Sequence, residues 1–259
     1  MNYNTDINSF GGIQDYHMIH ESLRSYFNGE NDLKKRFVED NIFGIRTEEG
    51  RGRFYRGIKS SILTFQNSKH EDIYRSFFST LNQTLPYNLL IFWQLSINNK
   101  LFNVISKELY LKYYFNGKVT ITGHDVFYFL QDLKERDEDF KNQNWTKKTT
   151  EPVASKYLTI LRKLNFVEGV QKKHLIHVQI SDQEFAVFLH LLVAIYGEGT
   201  NFLNHDFNGF SFVSNESFNE RVKRVAQKGF IGMAFSGTKL SLQPIFKLNE
   251  LADGIFGRS

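Results

Sequence analysis

The stretch from about Leu101 to Ile180 constrains the fold most, because its elements follow one another in a distinctive order. Leu101 to Phe115 has helical apolar spacing and ends at Asn116-Gly117, a stop signal. Lys118 to Ile121 is a short β-branched run, and Thr122 stands where it caps a helix to about Arg136. After a charged loop, Thr149 or Thr150 caps a further helix to Leu164. Its apolar residues Val153, Tyr157, Ile160, Leu161 and Leu164 share one face. Two extended runs follow, Phe166–Glu168 and His174–Ile180, joined by residues 169–173. Three helices, a small strand and a hairpin in this order read as a winged helix-turn-helix. In that motif the last helix enters the DNA major groove and the wing touches the backbone.

Charge is placed as that reading requires. Lys141 to His174 carries eight basic residues against Glu151 and Glu168, a net +6 on a chain whose formal charge is +4. Affinity for duplex DNA rests mainly on neutralising phosphates, so a basic reading element is the expected footprint. Ser155, Lys156, Thr159, Arg162 and Lys163 fall opposite the apolar stripe of the last helix. Ser155, Lys156 and Thr159 are expected to face bases. Lys147, Lys148 and Thr149 at the helix start, with Lys172 and Lys173 in the wing, are expected to hold phosphates. The competing reading of such a helix is a solvated polar face.

The rest of the chain reads as mainly helical, an α+β protein of four parts. Residues 1–14 are polar and Asn/Gly-rich, read as a loose tail or an interaction arm with no secretory pattern. Residues 15–98 form a bundle of short helices, 99–181 the winged unit, and 182–259 a C-terminal α+β region. In the bundle, Tyr16–Phe27 is amphipathic, Asn31 or Asp32 caps a second helix, Thr47 opens a third, Ser68 caps a fourth to Leu81, and Pro86 starts a fifth. The third carries Arg51, Arg53 and Arg56. Cations near a helix start oppose the macrodipole, which makes this cluster a second candidate for phosphate or a partner. In the last third a helix bearing Arg221, Lys223 and Arg224 precedes a hairpin around Ser236-Gly237-Thr238. That is either a second wing-like unit or an ordinary α+β closing element.

Several classes drop out on composition. With no cysteine, the chain has no disulfide, thiolate nucleophile or cysteine-bound zinc, and a cytoplasmic home is the simplest expectation. The longest apolar run, Phe185 to Tyr196, falls well short of the roughly 20 residues a bilayer requires, so no membrane insertion is expected. No phosphate-binding glycine loop and no His-Glu-x-x-His helix occurs. His17 and His20 lack a matching third ligand, and Asp137-Glu-Asp139 reads as a solvated run. The expectation is a non-enzyme without metal or cofactor.

The chain also resembles the BrxA family, the small component of bacterial BREX phage-exclusion systems. The resemblance is carried by Asn41-Ile42-Phe43 ahead of the Arg51-x-Arg53 helix, by the block Asn88 to Leu111, and by the helix-into-wing junction Tyr157 to Val167. It spans roughly residues 15–215. It implies a cytoplasmic, non-enzymatic subunit that binds double-stranded DNA beside other BREX proteins, with winged-helix-like folds. Two alternatives stand beside it. One is a winged-helix transcription regulator, although no heptad run supplies a dimer element. The other is a scaffold whose basic patches dock acidic partners, a reading that an exposed Phe-rich surface would favour.

Overall fold

Side-chain caps decide where six of the helices begin. Thr47, Asn67, Asn99, Thr122, Asp137 and Ser181 each accept a hydrogen bond from a backbone N–H in the first turn. At Thr122 and Ser181 the bond is reciprocal, with Asp125 and Glu184 reaching back to the cap. The computed structural model describes residues 3–30, 32–79 and 86–257. In chain order the elements are helices α1 (Asp6–Gly12), α2 (His17–Phe27), α3 (Glu48–Gly57), α4 (Ser68–Phe78), α5 (Tyr87–Asn98), α6 (Lys100–Ile105) and α7 (Leu111–Phe115). Strand β1 (Thr120–Ile121) precedes α8 (Gly123–Arg136), α9 (Glu138–Lys141) and α10 (Lys147–Lys163). Strands β2 (Val167–Glu168) and β3 (Lys173–Leu175) lead to α11 (Asp182–Tyr196) and α12 (Asn215–Gln227). Strands β4 (Gly232–Phe235) and β5 (Leu240–Gln243) and helix α13 (Leu251–Phe256) close the chain. The protein is therefore mainly α, with two small antiparallel sheets among the described residues. No helix among them is long and apolar enough to cross a membrane.

The chain folds into two compact units, Met1–Thr64 with Tyr87–His177, and Phe65–Pro86 with Val178–Ser259. The helices expected to form one bundle over 15–98 are thus divided. Helix α4 packs with α11 and α13 of the second unit, where its Ile73, Tyr74 and Phe77 are buried. The fourth helix begins one residue past its Asn67 cap, and its expected end, Leu81, lies outside the described residues. Asn31 does too, and Asp32 accepts from the Lys35 N–H at 2.8 Å.

In the first unit, α5 is buried from Leu89 to Asn98, with Phe92 edge-on to Phe102 and Phe166. Its buried polar side chains are satisfied by backbone, Ser96 donating to the Phe92 carbonyl at 2.8 Å. Gln94 donates to the carbonyls of Ile62 and Thr64, and Asn98 to those of Ser61 and Thr64. The expected helix from Leu101 to Phe115 is α6 and α7 joined through one wide turn at Ser106–Tyr110. The first sheet runs β1-β3-β2, with Thr120 opposite His174 and Val167 opposite Leu175.

Two sequence expectations change here. From Tyr3 onward the expected loose tail is packed: Tyr3, Ile7, Phe10, Ile13 and Tyr16 are all buried. Tyr3 donates to Asp137 at 2.7 Å, and Lys100 lies over its ring while pairing with Asp139 at 2.8 Å. The acidic run 137–139 is therefore a structural clasp for the N-terminal segment. Helix α10 also starts earlier than expected, at Lys147, and carries Pro152 within it. Pro152 cannot donate to the Lys148 carbonyl, a cost that favours a later start. Packing overrides it, with Thr150, Val153 and Ala154 buried on the inner face.

The second unit is built around α11, whose residues Phe185 to Ala194 are buried. Within it burial pushes the His190 pKa down to about 4, and its Nδ1–H donates to the Ala186 carbonyl at 2.8 Å. The hairpin β4–β5 pairs Gly232 with Gln243 and Phe235 with Leu240.

Candidate nucleic-acid interface

Helix α10 crosses α1 at close range, and that crossing sorts the predicted contact residues. Gly11 of α1 lies so near α10 that a Cβ there would stand 2.6 Å from the Lys156 Cβ and 2.7 Å from its carbonyl oxygen. The flank of α10 that bears Lys156 and Lys163 is therefore half-buried. Lys163 donates to the Ile13 carbonyl and lies over the Tyr16 ring, 5.5 Å from its centroid. Burial lowers its pKa, helped by the charges of Lys156 and Arg162. Lys163 is thus a tether for the N-terminal segment, where a free cation was expected.

The remaining face stays open. Lys148, Ser155 and Arg162 are exposed and seven residues apart, so they form one stripe along the helix, with Thr159 beside it. Thr159 is half-buried and donates to the Ser155 carbonyl at 2.9 Å. Thr149 is half-buried in the first turn. Lys147 is exposed and pairs with Glu151 at 3.5 Å, a surface pair that contributes little. Among the described residues, no carboxylate pairs with Lys148 or Arg162.

The wing divides its two lysines. Lys172 is exposed in the turn. Lys173 is buried, and its ammonium donates to the carbonyls of Gly169, at 2.7 Å, and Val170. Burial lowers its pKa first and the charge of Arg162 second. Helix α10 packs against β2, so its C-terminal end lies next to the wing strands. The reason for the inward turn is the pleat: Lys173 shares a face with Leu175 and pairs with buried Ile121. It closes the turn from inside, with its ammonium taken up by the Gly169 and Val170 carbonyls where a phosphate was expected. Val170, at the tip, is 81% exposed.

The second predicted cluster lies on α3. Arg51 is half-buried and donates to the Ile45 carbonyl at 3.4 Å, so it holds the preceding loop. Arg53 is exposed, 3.6 Å from Glu49, and Arg56 is exposed as well. Arg53 and Arg56 line a recess with Lys156 and with Arg46, a residue that sequence reasoning passed over. Its position directly before the Thr47 cap was the available signal.

The third cluster is neutralised within the second unit. Asp182, in the first turn of α11, takes Arg221 at 3.0 Å, Arg224 at 2.6 Å and Lys228 at 2.6 Å. Arg221 also donates to the Ile180 carbonyl, and Lys223 pairs with Glu220 at 2.6 Å. Burial alone would raise the Asp182 pKa, yet the bonds from Arg224 and Lys228 and the charge of Arg221 outweigh it and hold it below the usual carboxylate range. A group depressed in the folded state stabilises above its unfolded pKa and stops doing so as pH falls through its folded pKa. Asp182→Asn is therefore expected to cost about 1–2 kcal/mol at neutral pH. Thermal melting followed by circular dichroism should show the wild type losing that advantage below about pH 4, while the variant changes less there. Equal melting at neutral pH would show that the cluster adds nothing.

Among the described residues, no group of three or more His, Asp or Glu is placed to hold a metal ion. No curated protein and no solved structure matches the chain. The BrxA family model does, over residues 2–190, which covers the whole N-terminal segment, the α10 helix and the wing. The match stops within α11, so α12 and the C-terminal hairpin lie beyond it. By that match the chain belongs to the BrxA family, a component of BREX phage-defence systems.

Proposed function

We propose that the chain is a non-enzymatic, double-stranded-DNA-binding subunit of a BREX system, working beside other BREX proteins. In this reading residues 100–177 act as a winged helix. The observation that carries it is the unpaired basic stripe of α10, whose end packs against strand β2 of the β1-β3-β2 sheet. Lys148, Arg162 and Lys172 hold phosphates, with Lys147 at the margin, and Ser155 and Thr159 face the groove. A scaffold built on exposed aromatics has less behind it. Of 26 phenylalanines, only Phe115 and Phe235 are strongly exposed. The two wing lysines give a direct test. Lys172→Ala is expected to weaken binding to all duplexes alike and to flatten the salt dependence by about one phosphate. Lys173→Met keeps the apolar stem and should leave that salt dependence unchanged. Fluorescence anisotropy with a labelled duplex at several salt concentrations reads both. If Lys172→Ala leaves the slope untouched, the wing does not contact the backbone.

A further inference from the structure

Four cations face a single recess that the folded chain does not neutralise. The recess lies among α1, α3 and the loop before α3, and has a volume of about 620 Å³. Arg46, Arg53, Arg56 and Lys156 line it. Among the described residues, no carboxylate pairs with Arg46, Arg56 or Lys156, and Arg53 has only exposed Glu49 at 3.6 Å. The one carboxylate in the lining, Asp6, already accepts from the Ser60 hydroxyl at 2.7 Å. The close approach of Gly11 fixes Lys156 at this place and half-buries it. Like charges gathered around one recess create a positive potential there that favours an anion. Guanidinium groups match phosphate oxygens in pairs, which selects phosphate over a simple halide.

The site is a hollow, whereas duplex backbone is met by exposed ridges such as the α10 stripe. Its volume falls within the roughly 300–1,000 Å³ typical of small-molecule sites. We propose that this recess binds a small phosphorylated molecule of nucleotide size. Arg46, Arg53, Arg56 and Lys156 surround its phosphates and Asp6 accepts from a hydroxyl. The site is distinct from the α10–wing face and does not rest on the duplex-binding reading.

Pyrophosphate and ADP are the probes, titrated calorimetrically into the full chain, with unfolding temperature followed in parallel. Saturable binding with a raised unfolding temperature is expected for the wild type. Arg53→Gln/Arg56→Gln should lower pyrophosphate affinity at least tenfold while its duplex affinity stays within about twofold. Arg46→Gln, a change at an exposed loop residue, should weaken pyrophosphate binding in the same direction if the double variant folds poorly. Three results would overturn the proposal. They are no binding of either probe at millimolar concentration, equal binding by wild type and variants, or a tenfold loss of duplex affinity together with displacement of ADP by duplex. The last would make these cations a backbone contact.

Discussion

Replacing Lys148, Arg162 and Lys172 together by alanine is expected to weaken duplex binding roughly 100-fold near physiological salt. Each is an exposed cation without an acidic partner among the described residues, so each is available to displace a counterion from the DNA. The loss should be nearly the same for unrelated duplex sequences, because phosphate contacts position a protein without reading bases. The plot of log affinity against log salt should flatten by about three phosphates in the triple variant. None of the three side chains supports the core, so the unfolding midpoint should stay within about 1 kcal/mol of the wild type. Ser155→Ala provides the contrast. It should change preference among duplex sequences more than mean affinity. A triple variant that binds as tightly as the wild type would remove the α10–wing face from consideration.

Gly11→Val is expected to destabilise the first unit by about 2–3 kcal/mol. The clash involves the backbone of α10 as well as a side chain, since a Cβ at Gly11 would stand 2.7 Å from the Lys156 carbonyl oxygen and 2.9 Å from its Cα. Rotamer changes cannot relieve it, so α1 must shift and carry Ile7 and Phe10 with it. Gly12→Ala is the control. A Cβ there meets nothing within 4 Å, and the expected change is under about 1 kcal/mol. Both tryptophans, Trp93 and Trp145, belong to the first unit, so urea unfolding followed by their fluorescence reports on it. Equal midpoints for the two variants would mean that α1 is held loosely against α10.

These contrasts mark how far the sequence could be read. The order of elements from Leu101 to the wing was legible because caps and stops announce it. Thr122 with Asp125, Asn116-Gly117 and Gly169 are all local signals. Gly169 sits at φ +96°, where a side chain would also meet the Lys172 carbonyl at 2.4 Å. The docking of α1 was not legible. Gly11-Gly12 reads as a flexible break, and only the crossing with α10 explains a glycine that is buried. The inward turn of Lys173 could have been found, because period-two alternation places it with Leu175. Its charge masked that signal. Sorting the remaining basic residues required tertiary structure. Lys163 and Lys156 share the polar arc of α10 with Lys148 and Arg162, and nothing in the sequence says that α1 covers one flank. Arg221 and Arg224 look like a basic patch until Asp182, about forty residues earlier, is seen among them.

The central claim is tested most directly by the affinity of the full chain for a labelled random-sequence duplex across a range of salt concentrations, with single-stranded DNA of equal length alongside. Lys147, Lys148, Arg162 and Lys172 are the four free or weakly paired cations of the face. The account therefore predicts that log affinity falls linearly with log salt with a slope of about −3.6, from about 0.9 per phosphate, and that duplex is preferred. Absence of duplex binding at low salt, or a slope near zero, would contradict it.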